Sequence, residues 1–215
     1  MHLKRQNAEK FWPVPRKGTK YLAVPSHEKK SSITLIMAVR DILRFAKDKR
    51  EVKEMLKAKQ ITVNGKIVSE LNYAIALFDT LAFPSPKKFF KATLKESHIT
   101  LEEINEKEAN LRIYKVIGKK QQGGKKQQIN LSGGKNILSA EKVNTGEFVI
   151  IDADNKISRV LTMQKGSHVM AVTGKNLGAN GKIKGINEES GEKIAEIEAD
   201  KGVIKINIKN LFITG

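Results

Sequence analysis

Between Ser31 and Lys59 the apolar residues recur at helical spacing. Leu35, Ile36, Val39, Ile42 and Leu43 fall one, three and four positions apart, the stripe of a helix with one buried face. Ser31 or Ser32 can cap its start, because a short hydroxyl side chain accepts from the first unpaired N–H groups. Arg40, Arg44 and Lys47 project from the opposite side. Asp48 followed three residues on by Glu51 resembles a capping box and predicts a second helix, with Val52, Met55 and Leu56 inward and Lys53, Lys57 and Lys59 outward. Two short helices would thus share a basic side, extended by Lys49 and Arg50.

Past Gln60 the helical period is lost. Ile61-Thr62-Val63-Asn64-Gly65-Lys66-Ile67-Val68 places Asn-Gly between two β-branched runs, which predicts a hairpin, since a two-residue type I′ turn needs positive φ at both central positions. Leu71 to Phe83 is a further strand-like stretch, closed by Pro84 and Pro86 with Lys87 and Lys88 behind them. His98–Ile104 reads as a short helix with Thr100 and Glu103 as its box. Leu111–Ile117 reads as a strand. Residues 118–128 form a polar, glycine-bearing run with Lys119, Lys120, Lys125 and Lys126; with nothing to bury, it is expected at a hairpin tip, either solvated or touching RNA, and its four lysines favour RNA. From residue 136 onward the chain reads as all β: Phe148–Asp152, Ile157–Met163, Val169–Thr173, Ile194–Glu198 and Val203–Ile208 are short runs separated by Gly, Asn and Asp. That rhythm suggests small barrels, with glycines 166, 174, 178, 181 and 185 at corners and close backbone approaches.

Residues 1–30 have neither period. They carry Pro13, Pro15, Pro25, the single Trp12 and 8 Lys/Arg, among them Lys4, Arg5, Arg16, Lys17 and Lys20. Each proline biases its predecessor toward extended geometry. A basic extension without its own core is expected, ordering on a partner; Trp12 either meets that partner or packs back on the neighbouring domain.

Charge sharpens the picture. The 215 residues include 40 Lys/Arg and 23 Asp/Glu, a formal net charge of +17. Residues 1–66 hold 17 basic and 6 acidic groups, residues 67–135 hold 12 and 7, and residues 136–215 hold 11 and 10. A coat kept only for solubility would be spread evenly. Concentration in the first third points to a polyanion there, with nucleic acid the usual partner. The chain has no cysteine, which excludes a disulfide framework, a thiolate nucleophile and cysteine-based metal sites. Its apolar runs are far short of a membrane span, and its start lacks the apolar core of a secretory signal, so an intracellular, cytoplasmic protein is expected.

No catalytic motif fits the sequence. A phosphate loop ending at Gly181-Lys182 would need glycine at position 176 and a hydroxyl at 183, where Asn176 and Ile183 stand. The histidines (His2, His27, His98, His168) lack metal-ligand spacing. Glu188, Glu189 and Glu192 read as a solvated turn rather than a paired-carboxylate site. No cofactor, metal or catalytic residue is expected.

Two segments resemble RNA-associated modules. Residues 31–83, with Lys49-Arg50, Lys57-Ala58-Lys59-Gln60-Ile61-Thr62-Val63-Asn64-Gly65 and Leu77-Phe78-Asp79-Thr80-Leu81, resemble the small RNA-binding fold named after bacterial ribosomal protein S-four. Two positions depart from that pattern: Lys59 stands where the second helix usually ends in glycine, and Phe78 replaces the glycine of a late Gly-Asp. Residues 166–215, with Val172-Thr173-Gly174-Lys175-Asn176-Leu177-Gly178, look like a KOW module. Together with the His2-Leu3-Lys4-Arg5 start and the Asn210-Leu211-Phe212-Ile213-Thr214-Gly215 ending, they resemble, over essentially the whole chain, the small-subunit ribosomal protein family S-four-e, in its archaeal type.

What the resemblance implies is an α+β, multi-domain chain: a basic extension (1–30), an S-four-like domain (31–85), a central mostly β domain (86–165) and a KOW-type, Src-homology-like β-barrel (166–215). It also implies a structural constituent of the small ribosomal subunit, bound to ribosomal RNA and neighbouring ribosomal proteins, neither membrane-associated nor an obligate homo-oligomer. RNA contacts would come from the cations named above, with Asn64 and Lys66 at the hairpin turn and Lys175, Asn176, Lys182 and Lys184 on the glycine loops. The competing classes are an RNA-modifying enzyme with an S-four-like domain, and a free translation or transcription factor using a KOW unit.

Overall fold

The computed structural model describes residues 3–29, 31–122, 127–152, 154–189, 191–199 and 202–214. The chain divides into two compact units, Met1–Asn110 and Leu111–Gly215. It is rich in β structure with few helices, and all its strand pairings are antiparallel among the described residues.

The first unit begins with a short ladder, β1 (Leu3–Lys4) against β2 (Tyr21–Leu22). Strand β3 (Ser32–Thr34) leads into a helical segment that is π-helical over Met37–Ile42. Helix α1 (Lys49–Lys57) follows, then the hairpin β4 (Thr62–Val63) and β5 (Lys66–Ile67). Strand β6 (Ala74–Ala76) returns to pair with β3. Strands β7 (Thr80–Phe83), β8 (Lys88–Lys95) and β9 (His98–Ile104) complete a five-stranded sheet in the order β5-β4-β7-β8-β9, and α2 (Glu106–Ala109) closes the unit. Of the predicted inward residues Leu35, Ile36, Val39, Val52 and Leu56 are buried, whereas Ile42, Leu43 and Met55 are only half-buried; Ile33, Ile61, Val63, Ile75, Leu81 and Phe83 complete the core.

Two sequence expectations fail here. The first helix does not start at Ser31 or Ser32. Ser32–Thr34 is a strand because Ile33 pairs with Ile75 and all three residues are buried on both faces, and the Ser32 hydroxyl donates to the Glu28 carbonyl at 2.7 Å instead of capping. His98–Ile104 is not a helix either. It pairs along its length with β8, and the Ile99 N–H donates to the Phe11 carbonyl at 2.9 Å. A four-residue capping signature cannot nucleate a helix against a full ladder of tertiary hydrogen bonds.

The second unit holds two five-stranded sheets. One contains β10 (Arg112–Gln121), β11 (Gln127–Leu131), β12 (Asn136–Ser139), β13 (Phe148–Ile151) and β14 (Ile157–Leu161) in the order β12-β11-β10-β13-β14. The other contains β15 (His168–Ala171), β16 (Asn180–Glu189), β17 (Glu192–Ala199), β18 (Gly202–Asn207) and β19 (Leu211–Ile213) in the order β18-β17-β16-β15-β19. Val116, Ile129, Leu131, Ile137, Val143, Val149 and Ile151 form the core of the first sheet. Phe148 and Phe212 join the two sheets edge to face, ring centroids 4.9 Å apart. The six strands read from the sequence in this unit, Leu111–Ile117 among them, are all present within a few residues. Those missed, β11, β12, β16 and β19, are polar, short or glycine-bearing. Glu188 and Glu192 flank the turn between β16 and β17, Glu188 facing Lys193. At Gly181 a methyl group would collide with the Glu198 carbonyl oxygen, so the glycine permits the close approach of β17.

Candidate nucleic-acid interface

The basic side of the first unit is built on α1. Val52 and Leu56 are buried, which turns Lys49, Arg50, Lys53 and Lys57 to solvent. Arg50, Lys53 and Lys57 follow one another at spacings of three and four, a single stripe on the helix. Helix entry differs from the expected capping box. Asp48 occupies the N-cap without a side-chain bond, and the Glu51 carboxylate instead accepts from the Lys47 N–H at 2.6 Å.

Helix exit explains the first departure from the S-four pattern. Lys59 has φ +55°, and the Lys59 and Gln60 N–H groups donate to the Leu56 and Met55 carbonyls, each at 3.0 Å. That is the paired bonding of a Schellman motif, with lysine in the left-handed position glycine usually takes. Phe78 is also left-handed, at φ +68°. Both residues hold the left-handed backbone that glycine adopts most readily, and Lys59 remains an exposed cation.

The hairpin has the predicted turn, with Asn64 at φ +52° and Gly65 at φ +74°. Lys66 is exposed on β5. Asn64 is partly buried, and its side chain faces inward: its amide donates to Asp79 Oδ1 at 2.6 Å while its carbonyl oxygen accepts from the Thr80 N–H at 3.0 Å. Asp79 Oδ2 accepts from the Ala76 N–H at 2.8 Å. Burial raises the Asp79 pKa from its ordinary value, against the lowering effect of these bonds.

The remaining cations fall into distinct settings. Arg40 forms a two-pronged pair with Asp41, Nε to Oδ1 at 2.7 Å and Nη2 to Oδ2 at 2.9 Å, and this bonding raises its pKa. Arg44 and Lys47 are exposed in the loop before α1, Arg44 with φ +55°. In the extension, Lys4, Arg16, Lys17 and Lys20 are exposed, whereas Arg5 is turned onto its own chain. Its Nε donates to the Thr19 carbonyl at 2.7 Å, its Nη1 to the Pro15 carbonyl at 2.5 Å and its Nη2 to the Thr19 hydroxyl at 3.0 Å. Trp12 is buried at 3% exposure, so its ring packs back on the unit.

In the second unit Lys119 and Lys120 are exposed near the end of β10, the former also donating to the Val143 carbonyl at 3.3 Å. Lys125 and Lys126 lie outside the described residues. Lys175 is exposed and Asn176 partly buried in the turn between β15 and β16, and Lys182 and Lys184 are exposed on β16. These cations belong to two separately described units and form no single cluster in sequence or sheet order.

Sequence pattern alone passes over several residues. Lys91 and Lys115 are partly buried beside aromatic rings, 5.8 Å from the Phe78 centroid and 5.7 Å from that of Phe148, and burial lowers both pKa values. Lys115 also donates to the Lys209 carbonyl at 3.0 Å. Phe45, in the loop before α1, and Lys88, at the start of β8, carry no motif. Among the described residues no three His, Asp or Glu side chains converge on a metal-sized site, and no helix is long and apolar enough to cross a membrane.

Comparison with known proteins adds identity to this geometry. The family described as Ribosomal family S4e matches residues 94–158. The chain is 30% identical over 222 residues to the small ribosomal subunit protein eS4 of Methanosphaera stadtmanae, covering 100% of this chain and 92% of the relative. It is 31% identical over 206 residues to that of Halobacterium salinarum, covering 93% and 88%. The crystal structure of the 30S ribosomal protein S4e from Thermoplasma acidophilum superposes with a TM-score of 0.72 at 22% identity, covering 87% of this chain and 96% of that one; that likeness establishes a shared fold.

Proposed function

Because this chain belongs to the S4e family of ribosomal proteins, we propose that it is a structural constituent of the small ribosomal subunit, held there by ribosomal RNA and without catalytic activity. The observation that carries this reading is the end-to-end match to archaeal relatives named small ribosomal subunit protein eS4. The uneven charge supports it, since the first third of the sequence combines the largest positive excess with the exposed stripe Arg50, Lys53 and Lys57.

The binding would be chiefly electrostatic. Lysines and arginines that meet phosphates release condensed counterions, so log affinity falls linearly with log salt. A deep, narrow A-form major groove hides base edges, so the α1 face and the Lys66 turn would recognise helix shape and backbone. In this reading the chain comprises the extension 1–30, an S-four-like domain 31–85, a central β domain 86–165 and a KOW-type barrel 166–215. The last, near charge balance, is suited to a neighbouring protein as well as to RNA through Lys175, Lys182 and Lys184. The assembled protein would reside in the cytoplasm.

Sucrose-gradient sedimentation of cell extract in high salt tests the proposal. A structural constituent stays with the small subunit; migration of the whole pool to the top of the gradient would identify a dissociable factor and overturn it.

A further inference from the structure

The loop before α1 exposes an aromatic ring in a cationic setting. Phe45 is 40% exposed, yet it is firmly held. Its N–H donates to the Val39 carbonyl at 3.0 Å, and its ring meets two buried rings edge to face: Phe83 at 5.0 Å and 65°, Phe90 at 5.6 Å and 71°. Phe83 and Phe90 also contact one another at 6.0 Å. The Lys88 ammonium lies 5.6 Å from the Phe45 centroid. Lys88 faces Phe83 across the β7–β8 ladder and lies on the same side of the sheet as Phe90. The neighbours in sequence, Arg44 and Lys47, are exposed, and Lys49 and Arg50 begin the cationic helix just beyond.

A singly exposed apolar side chain needs no functional explanation. Phe45 differs from the exposed aliphatics Ile67, Ile117, Leu138 and Val203 in three respects: it has a π-face, its orientation is fixed by two further rings, and the Lys88 ammonium lies over it. A rigid aromatic with a cation over its ring is a combination that can hold an unpaired base, since the base can take the cation's place on the π-face while the flanking phosphates meet the displaced cation and its neighbours. The Lys88 ammonium already at the ring marks a local preference for positive charge beside a π-system.

We propose that Phe45 is a stacking platform for an unpaired nucleobase of RNA, with Arg44, Lys47 and Lys88 taking the adjoining phosphates; this rests on the RNA-binding reading above. Stacking is sequence-tolerant because every base has a π-face, so the site distinguishes single-stranded from duplex RNA rather than one base from another.

The full-length protein is titrated with single-stranded oligoriboadenylate carrying 2-aminopurine, and with a blunt RNA duplex of equal length, over a range of salt concentrations. Phe45→Leu retains an apolar contact with Phe83 and Phe90 but has no π-face. It should lower affinity for the single strand by about 5- to 150-fold, leave the salt slope unchanged and alter duplex binding less than about twofold. Phe45→Trp should retain affinity, and its indole fluorescence, corrected for Trp12, should be quenched by the single strand but not by inorganic polyphosphate. Unchanged single-strand affinity in Phe45→Leu, an equal loss on the duplex, or an unquenched Phe45→Trp would overturn the platform while leaving RNA binding in place. Failure of the unmodified protein to bind either RNA would overturn both readings.

Discussion

The side-chain amide of Asn64 donates to the Asp79 carboxylate at 2.6 Å, joining the turn of the β4–β5 hairpin to the start of β7. The Thr80 N–H completes one end of this clasp by donating to Asn64 Oδ1, and the Ala76 N–H completes the other by donating to Asp79 Oδ2. Asn64 therefore has two roles in one residue: it tolerates the left-handed φ of the turn and locks that turn to the sheet. Hydrogen bonds to a charged group contribute about 1.5–3 kcal/mol each. Asn64→Ala and Asp79→Ala should each lower the stability of the folded chain by about 2–3 kcal/mol, and the double variant by less than their sum. Urea unfolding of the four proteins measures this, and strict additivity would show that the two side chains act independently.

The same carboxylate should leave a mark on the pH dependence. Burial raises its pKa above the ordinary aspartate value, so the folded state holds its proton more tightly than the unfolded chain does. The associated stability is fully present below the unfolded pKa of about 3.9. It is lost as pH rises from there through the raised folded value, because the unfolded chain releases its proton first. Relative to Asp79→Asn, which has no such proton, the unmodified protein should lose stability as pH rises from the unfolded value through the raised folded one. Parallel stability–pH curves for the two proteins would contradict the assignment.

Lys59 separates stability from binding. As the left-handed residue of a Schellman motif it has a conformational penalty of about 1–2 kcal/mol, partly offset because glycine loses more freedom on folding. Lys59→Gly should therefore stabilise the chain by about 0.5–1 kcal/mol. If its exposed ammonium meets a phosphate, the same change should reduce the salt slope of RNA binding by about 0.7–0.9. Denaturant melts and salt-dependent titrations on one preparation check both. A destabilised variant would mean that the lysine stem contributes packing that outweighs its backbone cost.

How much of this was legible in the sequence depended on whether a signal was local. The Asn64-Gly65 turn, the α1 stripe and, of the inward set, Val52 and Leu56 are fixed by neighbours a few residues away and are found where the pattern puts them, with Met55 half-buried beside them. The family resemblance, carried by short motifs spread from end to end, is likewise upheld by the whole-length match. Ser32–Thr34 and His98–Ile104 were misread because their partners, Ala74–Ala76 and Lys88–Lys95, decide their structure, and helical spacing within the segment is silent about a strand brought in from elsewhere. The charge pattern located the basic side but did not distinguish cations that face solvent from those committed to the fold. Arg40 turns to Asp41, and Arg5 turns to Pro15 and Thr19.

Arg5 anchors the loop of the N-terminal extension. Its guanidinium bonds two carbonyls and one hydroxyl of residues 15–19, and the Arg5 N–H donates to the Lys20 carbonyl at 2.9 Å, so a proline-containing loop is tied at several points to a single side chain. Gly18, at φ +143°, leaves the room: a methyl group there would sit 2.7 Å from Arg5 Nη2. The clasp holds in place the loop that displays Arg16, Lys17 and Lys20. Lysine cannot substitute, because an ammonium lacks the planar fork that reaches separate acceptors. Arg5→Lys and Gly18→Ala should therefore both loosen the loop, seen as cleavage by trypsin after Arg16, Lys17 or Lys20 at least about tenfold faster than in the unmodified protein, the equivalent of about 1.4 kcal/mol in the opening equilibrium. Should both variants be cut at the original rate, the β1–β2 ladder and buried Trp12 would be sufficient to order the extension, and Arg5 would be a dispensable ornament of it.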